Sequence, residues 1–289
     1  MPSYSRVGVV TGANKGIGLA IVRQLALQYP GSPLNNGSFL IYLTARNRGR
    51  GEAALQALRQ DAQLKQAKAL QADGGLSEIE FQTLDVTDSA SIKTLAAHLN
   101  EAHPDGIDFV INNAGIAMDG FDANVVQTTL HCNYYSTLSA CHAFLPLLKP
   151  TARIVNLASS AGHLDKYAPS IRTRFLASTC EADVSSILAD FQAAVDAGRE
   201  NALGFPSAAY AVSKAGLIGA TRALARQQRE RRPRVLINSV CPGYVNTDMS
   251  KGNGTKTVDE GAMTPVWLAI HDFGGATGAF WRDKMEVEW

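Results

Sequence analysis

Residues 7–22 read VGVVTGANKGIGLAIV, and the order of features in this stretch decides the fold. The apolar run VGVV is typical of a buried strand, and a glycine-rich turn leads from it into the apolar start of a helix. Gly12 can adopt a turn geometry that a side chain forbids, Gly16 lets backbone N–H groups approach a pyrophosphate, and Gly18 permits close packing of helix on strand. The stretch therefore predicts a phosphate-binding turn with the positive end of a helix facing the anion.

The rest of the chain continues this alternation of short apolar runs and longer amphipathic stretches, which predicts βαβ units around a parallel sheet. Seven strands are predicted, at residues 7–10, 39–45, 79–86, 108–113, 153–158, 235–240 and 278–281. Crossover helices are predicted at 18–29 and 52–72, and 29–38 is predicted to be a surface loop. The expected fold is a single α/β domain over residues 1–289, a Rossmann-like doubly wound sheet with helices on both faces.

A long insertion occupies about residues 163–207. Its apolar residues Val184, Ile187, Leu188, Phe191 and Val195 recur at helical spacing, so they would line one face of a helix. The sequence therefore predicts that the insertion is ordered and contains a helix.

The composition indicates a protein that acts on a small molecule. The chain has 289 residues and a formal net charge of +1, which provides no electrostatic footprint for nucleic acid or an anionic membrane. No run of about 18 apolar residues occurs, so neither a membrane span nor a leader is expected. A cytoplasmic location is expected instead. The four cysteines and six histidines show no metal-ligand spacing, so no metal is expected.

The end of the second predicted strand indicates the cofactor. It reads Thr44-Ala45-Arg46, with no acidic residue where an NAD site places one against the ribose 2′-hydroxyl. Arg46 and Lys15 could instead hold a 2′-phosphate, because a guanidinium donates in a planar fork. NADP(H) is therefore expected, although a solvated arginine at a strand end is a common alternative.

Tyr210 and Lys214 are spaced for a shared site. Residues four apart lie on one helical face, about one turn from each other. A phenol with a pKa near ~10 is a poor acid–base group at neutral pH unless a neighbouring charge stabilises its anion. The ammonium of Lys214 is expected to supply that charge.

Four motifs together resemble the short-chain dehydrogenases/reductases: TGANKGIG, NNAG at 112–115, a serine after the fifth strand, and YAVSK at 210–214. The likeness extends through Asp85, Asn133 and CPG at 241–243. It implies NADPH-dependent carbonyl reduction in which Tyr210 gives its proton to the carbonyl oxygen as hydride reaches the carbon. The implied catalytic residues are Asn133, Ser159, Tyr210 and Lys214. The implied cofactor contacts are Gly12, Asn14, Lys15, Gly16, Ile17, Gly18, Arg46, Asp85, Val86, Asn112, Ala114, Gly115, Tyr210, Lys214, Val245 and Thr247.

Three of these assignments have alternatives. The family register selects Ser159 as the residue that orients the substrate oxygen, but Ser160 follows it directly. The carboxylate of Asp85 is assigned as a contact to the adenine, although it could instead cap a helix. Asp88 or Ser89 can provide that cap a few residues later. Asn133, assigned to hold a water linking Lys214 to solvent, could instead be a buried helix amide.

The insertion narrows the resemblance to the animal-type monomeric carbonyl reductases, whose extra helix lies where other members form a dimer. A monomer acting on quinones, aldehydes and ketones is therefore expected. Tyr244 and Met249 are predicted to line the substrate pocket, and Trp281 is either pocket wall or core. Tyr244 replaces a larger indole of those relatives, so the pocket can differ from theirs.

Two other functions would use parts of the same sequence. A redox sensor would bind NADP without turnover, but Tyr210 and Lys214 argue for chemistry. A serine hydrolase using Ser159 would require a G-x-S-x-G elbow, which the sequence lacks there.

Overall fold

The computed structural model describes residues 4–289 and contains one sheet of eight strands. The strands are β1 (Arg6–Val10), β2 (Phe39–Ala45), β3 (Ser77–Thr83), β4 (Ile107–Asn112), β5 (Leu148–Leu157), β6 (Leu236–Cys241), β7 (Phe280–Arg282) and β8 (Met285–Val287). Their order across the sheet is β3-β2-β1-β4-β5-β6-β7-β8. The pairs from β3 to β7 are parallel, and β8 is antiparallel to β7. The predicted Rossmann-like α/β class is confirmed, but the prediction of seven strands, all parallel, was wrong.

The helices cover both faces of the sheet. They are α1 (Gly16–Gln28), α2 (Arg48–Arg59), α3 (Ala62–Gln66), α4 (Ser89–Ala102), α5 (Ala123–Leu130), α6 (Ser136–Phe144), α7 (Pro169–Ala177), α8 (Glu181–Asp196), α9 (Ala209–Arg231) and α10 (Val258–Ile270). Strand residues alternate between the two layers: Ile41 packs with α1 and α10 on one face, and Tyr42 packs with α4 and α6 on the other. The central strands β1, β2, β4, β5 and β6 thus contribute to two cores.

The predicted helix at 52–72 is divided in two. Asp61 lies between α2 and α3, and its carboxylate accepts hydrogen bonds from the backbone of Gln63 and Leu64, at 2.9 and 3.1 Å. A side chain that caps a new helix start in this way ends the preceding helix. The composition favoured helix throughout but did not reveal the break.

Residues 163–207 are ordered and contain α7 and α8. In α8 the predicted apolar face is present, with Val184, Ile187, Leu188 and Phe191 buried. This face packs with α5 and α9, so the insertion lies against the helix that carries Tyr210.

None of the described helices has the combined length and apolarity needed to cross a membrane.

Candidate active site

A cleft of about 700 Å³ opens at the carboxyl ends of the central strands. The chain leaves β1 for β2 on one side and β4 for β5 on the other, and ligands of doubly wound sheets bind at such a switch point. Many of the residues selected from the sequence line it: Gly12, Asn14, Lys15, Gly16, Ile17, Gly18, Arg46, Asp85, Val86, Ala114, Gly115, Tyr210, Lys214, Thr247 and Met249. Others do not: Asn112, Asn133, Ser159, Tyr244 and Val245.

The glycine-rich turn has the geometry of a phosphate site. Gly12 and Gly16 have φ angles of +63° and +57°, in the left-handed region that disfavours side chains. A Cβ at Gly18 would lie 2.5 Å from the carbonyl oxygen of Gly12, so only glycine fits there. The N-cap of α1 is Lys15, whose side chain does not cap the helix. The first turn of α1 therefore leaves backbone donors available for an anion, and the site fits a dinucleotide pyrophosphate.

Thr11 and Asn113 fasten the glycine-rich turn to the end of β4. The hydroxyl oxygen of Thr11 accepts from the backbone N–H groups of Asn113 and Ala114, both at 3.0 Å. The amide of Asn113 donates to the carbonyl oxygen of Thr11 at 2.9 Å. Sequence reasoning selected neither side chain, although both belong to motifs it had identified.

Asn112 has a structural position outside the cleft, contrary to its assignment as a cofactor contact. Its buried amide donates to the side-chain Oδ1 of Asn156 at 2.9 Å and to the thiol of Cys141 at 3.3 Å. Asn113, the next residue, lines the cleft instead. In a strand successive side chains alternate in direction, which is why Asn113 and not Asn112 lines the cleft.

The far end of the cleft contains two cations, Lys15 and Arg46, with the carboxylates of Asp85 and Asp248 near them. Arg46 is exposed there, at the end of β2, and Lys15 lies at the start of α1. The Lys15 ammonium is 2.5 Å from a carboxylate oxygen of Asp248, with side chains 63% and 80% exposed. This ion pair bridges the cleft from the glycine-rich turn to the loop after β6, and it lowers the pKa of Asp248.

Asp85 does not cap a helix. Its carboxylate accepts from the Thr87 backbone at 2.9 Å and from the Thr87 hydroxyl at 2.7 Å. Burial acts to raise the pKa of Asp85, but these hydrogen bonds and the charge of Arg46 lower it. The cap of α4 is Asp88, which accepts from Ala90 at 2.9 Å. The alternative assignment of Asp85 is therefore excluded.

Tyr210 and Lys214 lie on one face of α9, with the ammonium nitrogen 5.6 Å from the centre of the phenol ring. Lys214 is 4% exposed and donates to the carbonyl oxygen of Leu157 at 2.7 Å. Burial lowers the pKa of Lys214 to about 8, because the interior disfavours the ammonium. Burial also raises the pKa of Tyr210 to about 12. This direction is opposite to the one expected from the neighbouring lysine, because desolvation by burial is the largest influence on the phenol.

Ser159 rather than Ser160 is the serine associated with Tyr210. A hydrogen bond with Ser159 acts to lower the pKa of Tyr210, although burial prevails. The Ser159 hydroxyl oxygen also accepts from the backbone of Ala161 at 3.1 Å. The backbone N–H of Ser160 donates to the thiol of Cys241 at 3.2 Å. These contacts favour the register that the sequence selected.

Asn133 is fully buried in a π-helical turn between α5 and α6. Its amide accepts from the backbone N–H of Ile116 and donates to the carbonyl of the same residue, both at 2.8 Å. It donates further to the Ser213 hydroxyl at 3.0 Å. The side chain thus holds the chain after β4 against α9 and is not among the residues that line the cleft. Its role in holding a water that links Lys214 to solvent stays a prediction.

The loop after β6 forms the other wall. Thr247 faces the glycine-rich turn: a Cβ at Gly16 would lie 3.6 Å from its methyl carbon. Val245 is buried against Gly261 and supports the loop from behind. Met249 lines the cleft and is 48% exposed, whereas Tyr244, 55% exposed, lies in the same loop outside the lining. Trp281 is buried with Trp267 and Phe273, so it belongs to the core.

Taken together, a dinucleotide turn at the switch point and a tyrosine–lysine pair at the end of the cleft define an oxidoreductase of the Rossmann type. The chain belongs to the short-chain dehydrogenase family, whose model matches residues 6–170 and 194–257. The resemblance stated from the sequence is thereby confirmed. The unmatched residues 171–193 include most of α7 and α8, so part of the insertion lies outside the family pattern.

Relatives and solved structures extend this result. The chain is 38% identical to carbonyl reductase [NADPH] 3 of Mus musculus, with all of both chains covered. Salutaridine reductase from Papaver somniferum has a TM-score of 0.80 at 27% identity, covering 96% of this chain and 99% of that one. An NADPH-bound carbonyl reductase from chicken fatty liver has a TM-score of 0.67 at 25% identity, covering 99% and 100%.

Proposed function

We propose that this protein reduces carbonyl compounds to alcohols with NADPH, acting on quinones, aldehydes and ketones. The observation that carries the proposal is the position of Tyr210. Its phenol is hydrogen-bonded by Ser159 and lies beside Lys214, and Tyr210 lines the same cleft that Lys15 and Arg46 line at the opposite end. A proton donor and a dinucleotide site thus share one cavity.

The cofactor is NADP(H), and the protein is an NADPH-dependent oxidoreductase. The relative from Mus musculus is named for NADPH, and the chicken liver structure has it bound. Both expectations from the sequence are thereby confirmed. The chain's own residues agree, because Lys15 and Arg46 are two cations at the end of the cleft where a 2′-phosphate would lie.

The bound cofactor would supply the hydride. Tyr210 has the protonation state that reduction requires, because a phenol with a pKa of about 12 keeps its proton at neutral pH. It donates this proton to the carbonyl oxygen as negative charge develops there. Ser159 donates a second hydrogen bond to the same oxygen and holds it in line with the phenol. Neither step needs a covalent intermediate.

Lys214 stabilises the phenolate left behind. Its ammonium is 5.6 Å from the ring centre of Tyr210, in a buried region where a charge acts more strongly than in water. Gly115 leaves room for it: a Cβ there would lie 3.6 Å from the ammonium and 3.1 Å from the Asn133 carbonyl oxygen. Asn133 therefore acts as a positioning residue through Gly115 and Ile116.

The test is NADPH consumption by the purified protein with a quinone and an aromatic aldehyde, with NADH in parallel. Tyr210→Phe removes the donated proton and keeps the ring, so turnover should fall by about 10² to 10⁴. NADPH binding, followed by cofactor fluorescence, should stay within twofold. The control is Tyr135→Phe, which lacks an exposed hydroxyl of the π-helical turn outside the cleft.

Two outcomes would contradict the proposal. Undiminished turnover in Tyr210→Phe would remove the assigned proton donor. Tight NADPH binding by the wild type without reduction of any carbonyl in a broad panel would indicate a redox sensor.

We also propose that the protein is a cytoplasmic monomer. Support comes from α8, whose apolar face covers α5 and α9 within the same chain, so a second copy is not needed to cover it. Sedimentation equilibrium should give a mass near 30.8 kDa, and twice that mass would refute the monomer.

A further inference from the structure

A hairpin formed by β7 and β8 returns the chain toward the active site. The two residues between the strands, Asp283 and Lys284, have φ angles of +50° and +62°. Two successive left-handed residues produce a tight hairpin turn, usually with glycine or asparagine. Here Asp283 and Lys284 occupy the two positions. Because a side chain disfavours a left-handed backbone, the turn requires support from its surroundings.

Contacts with two neighbouring elements supply that support. The Asp283 carboxylate pairs with the Lys256 ammonium, which lowers the pKa of Asp283. The backbone N–H of Lys284 donates to the hydroxyl of Thr264 in α10 at 3.2 Å. The hairpin is therefore fixed both to the loop after β6 and to a helix.

Trp289 follows the hairpin and lies against the active-site helix. Its indole N–H donates to the carbonyl oxygen of Gly162 at 2.9 Å. The ring packs 5.6 Å from Phe175, centre to centre, and 5.2 Å from the guanidinium of Arg222. A Cβ at Gly219 would come within 2.9 Å of the indole, so α9 has a glycine where the ring lies.

The carbonyl that accepts this bond belongs to residues 159–163, hereafter the serine turn. On its α9 side, a Cβ at Gly162 would lie 2.7 Å from the backbone nitrogen of Ala215 and 2.8 Å from the carbonyl carbon of Lys214. Near its start, Ser160 donates to the thiol of Cys241. The serine turn is thus confined by α9, by β6 and by the indole of Trp289.

We propose that Trp289 is a positioning residue that fixes the serine turn against α9 and so places the Ser159 hydroxyl beside Tyr210. The inference rests on the proposed function, since Ser159 is assigned there to the substrate oxygen. The carbonyl of Gly162 is three residues from Ser159, and within the turn the amide of Ala161 donates to the Ser159 hydroxyl oxygen. A shift of the turn therefore moves the hydroxyl.

The test uses Trp289→Phe, which retains an aromatic ring against Phe175 and Gly219 but removes the N–H donor. The matched control is Trp281→Phe, because the indole N–H of Trp281 has no partner among the described residues and its ring lies in a separate aromatic cluster. Trp289→Phe should lower kcat by about five- to tenfold, the scale of a lost hydrogen bond, with NADPH affinity unchanged. Trp281→Phe should leave kcat within twofold.

Ser159→Ala completes a double-mutant cycle. If Trp289 acts through Ser159, Trp289→Phe should lower kcat less than twofold in the Ser159→Ala background. An equal fall in both backgrounds would overturn the inference, as would a Trp289→Phe protein with wild-type kcat.

A second readout is independent of turnover. Amide hydrogen exchange of residues 161–163 should become at least tenfold faster in Trp289→Phe and remain unchanged in Trp281→Phe. Unchanged exchange in both variants would overturn the inference even if the wild type were active. A wild type without reductase activity would contradict the proposed function, while the exchange measurement would still decide the position of Trp289.

Discussion

The two walls of the cleft are built differently. The wall that would hold the dinucleotide is made from backbone: positive-φ glycines, the first turn of α1 and the Thr11–Asn113 hydrogen bonds. The other wall, the loop after β6, consists of side chains: Thr247 and Met249 line the cleft, and Tyr244 is half-exposed in the same loop. Backbone geometry tolerates few substitutions, whereas exposed side chains tolerate many. We therefore expect mutational effects to decrease from the first wall to the second.

The largest effect is expected at Gly18. A side chain there meets the carbonyl oxygen of Gly12 and the amide of Asn113, both 2.5 Å from the Cβ position. Gly18→Val should weaken NADPH binding at least about 100-fold and lower the free energy of unfolding by roughly 1–3 kcal/mol, the usual cost of overpacking. Fluorescence titration and urea unfolding measure the two effects.

The matched control is Gly31→Ala. Gly31 has open space around its Cβ position and lies outside the cleft. Its NADPH affinity should equal that of the wild type. Tight NADPH binding by Gly18→Val would mean that the backbone wall is adaptable, and the contrast between the two walls would fail.

The second effect is a pH dependence that arises from Lys214, which lines the cleft beside Tyr210. Burial lowers the pKa of Lys214 to about 8, so the side chain is an ammonium below that pH and a neutral amine above it. The neutral amine cannot stabilise the phenolate of Tyr210, so kcat/KM for reduction should fall about tenfold for each pH unit above 8. Thermal unfolding over the same pH range is the control. A profile that stays level to pH 10 would contradict this role for Lys214.

The third effect lies where the two walls meet. Lys15 and Arg46 form charge-assisted hydrogen bonds to a 2′-phosphate in our proposal, so Lys15→Ala and Arg46→Ala should each weaken NADPH binding about tenfold or more. NADH binding should hardly change. Equal losses for both cofactors would show that the two cations do not recognise the 2′-phosphate.

A substitution of Asp248, the partner of Lys15, refines that test. In this structure its carboxylate is 2.5 Å from Lys15, and both side chains are more than half exposed. An exposed pair of this kind is weak, so Asp248→Asn should tighten NADPH binding by no more than about fivefold. A weaker affinity would show that Asp248 supports the binding of the cofactor and does not compete with it.

The same contrast explains what the sequence could predict. Local geometry or helical spacing dictates the residue types at three places, so these were predictable: the glycine-rich turn, the two cations at the far end of the cleft, and the Tyr210–Lys214 pair. The position of Asn112 was not, because the direction of a side chain at a strand end depends on register. The antiparallel β8 was missed since its turn uses Asp283 and Lys284, where sequence rules expect glycine or asparagine.

Burial also reversed one chemical expectation. The sequence indicated that Lys214 would lower the pKa of Tyr210, but desolvation raises it to about 12. The balance between burial and a neighbouring charge depends on packing by residues distant in the chain. The spacing of two residues therefore predicts which groups meet but not how burial shifts their pKa.

The smallest effect is expected at Tyr244, on the side-chain wall. Tyr244 is 55% exposed, so a bulky aromatic carbonyl can cover the exposed part of its side chain on binding. Tyr244→Ala should raise KM for such a substrate by about two- to fivefold, as expected for a small loss of apolar contact, and leave KM for a small aldehyde and the NADPH affinity unchanged. Tyr135→Ala, at an exposed position away from the cleft, is the control. If KM rises equally for both substrates, Tyr244 shapes the loop and not the pocket; if neither changes, Tyr244 does not contact bulky substrates.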